Sequence, residues 1–150
     1  MGLRVHVDVT RDLPFKRLQP LFAESAAQGW DHLNRLYAEW QQGLNRFVRE
    51  GEALYLAQAG ERIIGIGGVS LDPYGALPRI GRVRRVYVLA AYRQRGVGRM
   101  LIDRAIREAR QSFAELRLRA GSARAAAFFE ALGFEATAHV AQATHRLWLP

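Results

Sequence analysis

The sequence predicts one α/β domain of the α+β kind, spanning residues 1–150, with a mixed, mostly antiparallel central sheet flanked by helices. Three observations predict it. Strand-like and helix-periodic runs succeed one another along all 150 residues with no repeat, low-complexity tract or linker between them. A 49% hydrophobic content at this length suits one core, since such a chain buries roughly 70% of its unfolded surface. A basic, glycine-punctuated turn, Tyr92-Arg93-Gln94-Arg95-Gly96-Val97-Gly98-Arg99, sits between a β-branched run and a helical one.

Leu3 to Val9 alternates apolar and polar residues with the period of a half-buried strand. Thr10 or Asp12 can then cap a helical entry. Pro14 is tolerated in a first turn but Pro20 breaks a helix interior, so residues 13–28 predict a short turn and then a helix starting near Pro20. From Trp30 to Arg49, Leu33, Leu36, Tyr37, Trp40, Leu44, Phe47 and Val48 trace the stripe of a long amphipathic helix ended by Gly51. Its aromatics read as core. Trp30, Asp31 and His32 stand at the helix entry, where side chains can look into a cleft.

Residues 53–57 and 63–71 are two strands joined across Ala59-Gly60-Glu61 as a hairpin. Gly65, Gly67 and Gly68 weaken the second strand and suggest close approach of another backbone or a bulge, although a twisted sheet accounts for them equally well. Asp72 to Arg79, with Pro73, Gly75 and Pro78, reads as a loop, and residues 80–89 as a strand containing Arg82-Val83-Arg84-Arg85-Val86-Tyr87-Val88. After the turn, apolar residues at 101, 102, 105, 106 and 109 give a helix. Residues 116–120 alternate as a short strand; Ser122 then caps a helix with Ala125, Phe128, Phe129 and Leu132 on one face and Gly133 at its end. Residues 135–140 and 144–149 read as a final strand pair.

The turn carries the chemistry. A helix starting there presents unpaired N–H groups and the positive end of its dipole, while Arg93, Arg95 and Arg99 add forked donors that suit phosphate oxygens. Gly96 and Gly98 have no Cβ to fend off a pyrophosphate. The short pattern gains weight from its place at a strand-to-helix junction. Charge agrees: residues 79–124 hold 13 arginines against Asp103, Glu108 and Glu115, so most of the net charge of +8 belongs to one region. This predicts a localised polyanion site, for which a phosphorylated cofactor and nucleic acid are both open readings. Zero cysteines exclude disulfides, Cys-ligated metals and thiol nucleophiles, and four scattered histidines show no metal-ligand spacing. No apolar run approaches a membrane span and no signal segment is evident, so a cytoplasmic location is expected.

The order of elements resembles the GNAT superfamily of N-acetyltransferases over nearly the whole chain. The resemblance is carried by Val86-Tyr87-Val88, then Tyr92 to Gly98, then Ser122 to Phe134 with its ending Phe128-Phe129-Glu130-Ala131-Leu132-Gly133-Phe134. It implies acetyl-CoA as co-substrate, no metal, and direct attack by an amine on the thioester. Residues Arg93, Gln94, Arg95, Gly96, Val97, Gly98 and Arg99 would hold the pyrophosphate, with Ser122 and Phe128 also at the cofactor. The strands near 82–88 and 116–120 would splay, letting pantetheine pair with backbone at Val86 and Val88. The Val88 amide would polarise the thioester carbonyl, a contribution commonly worth ~3 kcal/mol.

Departures from the family pattern matter as well. Arg82 and Arg84 stand where many members carry a catalytic glutamate, Phe129 where a tyrosine often protonates the thiolate, and Ser122 where asparagine is usual. Glu24, Asp31, Glu39 and Asp72 remain candidate carboxylates and Tyr74 and Tyr87 candidate hydroxyl donors. Trp30, Asp31, Arg82 and Arg84 are candidate acceptor contacts. In an extended strand the two arginines share a face and would favour an anionic acceptor, unless they pair with residues such as Glu24 or Glu39. The acceptor is expected to be a small-molecule or peptide amine. A non-catalytic acyl-CoA-binding module is the alternative, and a homodimer stays open.

Overall fold

Period-two alternation builds one sheet, and helical periodicity supplies the layers on its two faces. The computed structural model describes residues 3–75 and 79–150. Four strands run antiparallel in sequence order: β1 (His6–Thr10), β2 (Ala53–Ala59), β3 (Arg62–Leu71) and β4 (Ile80–Val88). β5 (Glu115–Leu118) lies parallel to β4, and β7 (His145–Trp148) pairs antiparallel with both β5 and the two-residue β6 (Glu135–Ala136). The sheet thus reads β1-β2-β3-β4-β5-β7-β6. The helices are α1 (Phe15–Ala27), α2 (His32–Gln42), α3 (Val97–Ala109) and α4 (Ala123–Ala131).

Side-chain direction assigns the faces. Gly65 on β3 points at Leu101 of α3, whereas Tyr87, paired with Ile66, reaches Glu24 of α1 on the opposite face. Leu18, Leu21, Leu33 and Leu36 fill the α1/α2 layer; Leu101, Ile102, Ala105 and Ile106 fill the α3 layer. Among the described residues no helix is long and apolar enough to cross a membrane.

Three elements differ from the sequence reading. α1 begins at Phe15 and runs through Pro20 instead of starting near it. A helix-interior proline costs about 3 kcal/mol, but Pro20 is exposed while Leu18, Leu21 and Phe22 bury the other face at roughly 1.5–3 kcal/mol each. α2 stops at Gln42, short of Arg49, because Gly43 adopts φ 72 and the Leu44 N–H turns back to the Glu39 carbonyl. The expected stripe therefore breaks: Leu44 and Val48 are 66% and 69% exposed, while Phe47 returns to the core from a turn stabilised by the Asn45 side chain. The last pair is shorter than expected, β6 ending at Ala136. In the loop expected over residues 72–79, Pro78 lies outside the described residues. Of the β3 glycines, Gly68 marks a close approach, since a Cβ there would meet Phe47 at 2.7 Å.

Candidate functional site

The site begins with a break in β4. Gly68 pairs with Arg84 and Ile66 with Tyr87, so Gly67 alone opposes both Arg85 and Val86. Arg85 takes φ 61, in the left-handed region, and the strand bulges. The extra residue resets the alternation. Arg82 and Arg84 share a face, as the sequence predicts; that face is the α1/α2 side and Tyr87 joins it, while Val88 turns to α3 with its Cγ2 3.8 Å from the Cβ position of Gly98.

Past Arg82, before the bulge, β4 loses one of its two neighbours. β5 pairs with it only at Ile80, Gly81 and Arg82, so the β4 edge from Val83 to Val88 is unpaired on that side among the described residues. Leu89 donates its N–H to Ile64 on β3 at 2.9 Å, and alternation directs the Val88 N–H, and two residues earlier that of Val86, into the opening. The Val88 carbonyl is already taken, accepting from Arg93 Nε at 2.9 Å.

The opening leads to the basic turn. A 3₁₀ turn over Ala90–Tyr92 precedes Gln94 at φ 62 and Gly96 at φ 81, and α3 starts at Val97. Among the described residues, none of the N–H groups from Gln94 to Arg99 finds an acceptor in the chain. Such a concave run of donors at a helix N-terminus binds anions. Arg95 and Arg99 are exposed beside it, Arg99 3.5 Å from Asp103 on the surface. Arg93 departs from its expected role: its guanidinium turns inward to Val88, Gln28 and the Tyr87 ring, and its N–H bonds to Ala90. Gly98 also serves differently, because a Cβ there would sit 3.1 Å from the Phe128 ring. Its bareness admits that ring to the mouth of the opening. Ser122 caps α4, its Oγ accepting from the Ala125 N–H at 3.1 Å and keeping its own proton to donate.

On the α1/α2 side, Glu24 gathers the strand and the turn. Its carboxylate accepts from the Tyr87 hydroxyl at 2.6 Å and the Ala90 N–H at 2.9 Å, with Arg93 at 4.0 Å. Burial and this carboxylate push the Tyr87 phenol well above its ordinary range, so it stays protonated with its hydrogen committed. Glu39 is likewise occupied, 3.1 Å from the buried Arg85. Asp72 is buried and shared, 3.5 Å from Arg82 and 3.7 Å from Arg117. Arg82 also donates to the Gln142 carbonyl at 2.5 Å and lies over Tyr74. Neither Glu24 nor Glu39 is the partner of the two candidate arginines. Arg84, with no ion pair among the described residues, lines a groove of about 470 Å³. Asp31 spends its charge on Arg35 at the surface, and Trp30 packs over Gly121, linking the α1–α2 connection to the chain beyond β5. His32 lies beside Tyr87 and Arg85, its ring without a hydrogen bond among the described residues; burial and Arg85 lower its pKa from 6.5 to about 4, against a smaller opposing pull from Asp31. Among the described residues no cluster suited to a metal ion occurs.

The model of the acetyltransferase (GNAT) domain family matches residues 50–136, more than half of the chain. The chain belongs to the GNAT acetyltransferase family. Its fold is similar to that of a provisionally assigned acetyltransferase from Exiguobacterium sp. 255-15, with 28% identity, TM-score 0.86, and coverage of 97% of this chain and 94% of that one. It is also similar to a provisionally assigned acetyltransferase from Salmonella typhimurium solved with its cofactor acetyl-CoA, with 17% identity, TM-score 0.68, and coverage of 97% and 94%. A Desulfovibrio desulfuricans GNAT protein gives 19% identity, TM-score 0.74, and coverage of 98% and 100%. No curated protein matches in sequence.

GNAT domains use acetyl-CoA, and the residues here fit that group: open N–H donors for its pyrophosphate and an unpaired strand edge for its amide-bearing arm. The GNAT tyrosine position, Phe129, is buried against Phe134 and Phe128 and offers no hydroxyl. Sequence reasoning missed Arg85, Gln28 and Arg49. The adjacent pair Arg84-Arg85, two charges in a row inside an alternating strand, was the available signal for the bulge.

Proposed function

We propose that this domain transfers an acetyl group from acetyl-CoA to a primary amine by direct attack. One observation carries the reading: the unpaired β4 edge at Val86 and Val88 is followed, across the 3₁₀ turn at Ala90–Tyr92, by the open N–H turn of residues 94–99. That succession suits a long ligand with amides at one end and a pyrophosphate at the other. In the reaction the amine nitrogen forms a bond to the acetyl carbon, the carbon–sulfur bond breaks, the nitrogen loses a proton and the sulfur gains one. The Val88 N–H supplies the oxyanion contact.

His32 is the proton acceptor this arrangement favours, because Glu24, Glu39 and Asp72 are all engaged in ion pairs or hydrogen bonds. It is a weak base, but the attacking nitrogen becomes strongly acidic as its new bond forms, so weak basicity suffices. Proximity within the ternary complex supplies much of the remaining rate. Those same engaged carboxylates favour a second reading, a non-catalytic acyl-CoA-binding module. A nucleic-acid site is less favoured, since Arg82, Arg85, Arg104 and Arg117 of the basic segment already have acidic partners.

Calorimetric titration of acetyl-CoA, combined with thiol release across a broad amine panel, tests the proposal. Tight cofactor binding with turnover above the buffer rate is expected. Binding without turnover on any amine leaves the non-catalytic module; absence of binding removes both readings.

A further inference from the structure

Three guanidiniums on β4 face the α1/α2 layer within four residues. Arg82 has Asp72 and the Gln142 carbonyl, and Arg85 has Glu39. Burial, and after it the charge of Arg84, weakens the hold of Arg85 on its proton, while Arg82 is lowered chiefly by burial. Arg84 lines the groove between the α2–β2 segment and the end of β3, together with Arg46, Arg49, Glu52 and Asp72. Both carboxylates there are engaged: Glu52 accepts the N–H groups of Leu71 at 2.8 Å and Arg49 at 3.1 Å, and Asp72 serves Arg82 and Arg117. Arg46 gives its Nε to the Trp40 carbonyl and retains its other donors. An anion entering this groove meets the Arg84 guanidinium and the remaining donors of Arg46 and Arg49, beside two carboxylates already held by other groups.

We propose that this groove holds the anionic group of the acceptor, with Arg84 and Arg49 as its ligands. The proposal rests on the transferase reading. Arg84 precedes Val88 by four residues, one of them taken up by the bulge, so the anion sits ~10 Å along the strand from the Val88 amide that faces the opening. The acceptor class is therefore an amine separated from a carboxylate or phosphate by a chain of several bonds. An α-amino carboxylate is too short.

The test uses protein saturated with CoA, so that the turn at 94–99 is filled. The probes are 5-aminopentanoate, 3-aminopropyl phosphate and the neutral pentylamine, titrated calorimetrically; with acetyl-CoA the same amines are followed by thiol release. At least one anionic probe should bind and turn over ten- to a hundredfold better than pentylamine, and the two anionic arms distinguish carboxylate from phosphate. Arg84→Ala should erase that ratio, Arg84→Lys should keep part of it, and Arg49→Ala, at an exposed position that cannot disturb the core, should reduce it several-fold. Equal treatment of neutral and anionic amines, or selectivity surviving both alanine variants, overturns the anion site while leaving the transferase standing. Selective, Arg84-dependent binding with no thiol release from any amine keeps the anion site and overturns the transferase reading instead.

Discussion

Replacing His32 with glutamine should flatten the acid limb of the stability curve. His32 opens α2, where the helix dipole opposes a positive ring, and burial and Arg85 lower its pKa from 6.5 to about 4. The unfolded chain binds a proton at 6.5 that the folded chain refuses until about 4. The stability is thus full above pH 6.5, is lost as pH falls between the two values, and levels off below. Linkage gives a loss of about 1.4 kcal/mol at pH 5.5 and about 2.6 kcal/mol at pH 4.5, relative to the alkaline plateau. Urea unfolding of the wild type and His32→Gln at pH 7.5, 5.5 and 4.5 reads the difference, with other titrating groups cancelling between the two proteins. Parallel curves, or a His32 ring that titrates near 6.5 by NMR, would refute the reasoning.

Gly98→Ala forces the Phe128 ring from its 3.1 Å approach, so acetyl-CoA affinity should drop about tenfold while unfolding free energy falls by only about 1–2 kcal/mol. Adding Phe128→Ala should show strong coupling in a double-mutant cycle, and simple additivity would separate the two residues. Ser122→Ala removes the α4 cap and should cost about 1 kcal/mol in denaturant unfolding. Tyr87→Phe leaves Glu24 its Ala90 and Arg93 partners, and should lower stability by about 1–2 kcal/mol but turnover by no more than about tenfold. A loss of a thousandfold in thiol release would make that hydroxyl a participant in the chemistry.

The strands, the basic turn and the capped α4 were legible because their determinants are local: alternation, glycines at a junction, a serine before a helix. The end of α2 was not, since Leu44, Phe47 and Val48 prolong the apolar spacing while one left-handed glycine ends the helix. Pro20 misled in the opposite direction, because tertiary burial of Leu18 and Leu21 outweighs a local penalty. The site was legible only in its backbone. Which carboxylate meets Tyr87, and which arginine is left without a counter-ion, are decided by contacts between α1, α2 and β4, separated by dozens of residues. Glu24 and Tyr87 are 63 positions apart, and neither neighbourhood announces the other.

The gap beside β4 bears on more than binding. A bare strand edge inside a sheet exposes the same donors and acceptors that drive aberrant association between chains. A ligand that pairs with Val86 and Val88 acts as a substitute strand and closes the sheet, so its concentration enters the folding equilibrium. At a hundred times its Kd such a ligand adds about 2.7 kcal/mol to the free energy of unfolding. That increment favours the closed sheet over any partner that would otherwise zip onto the edge. Depletion of the ligand would then show first as aggregation during heating or storage, before any change in activity measured at saturation.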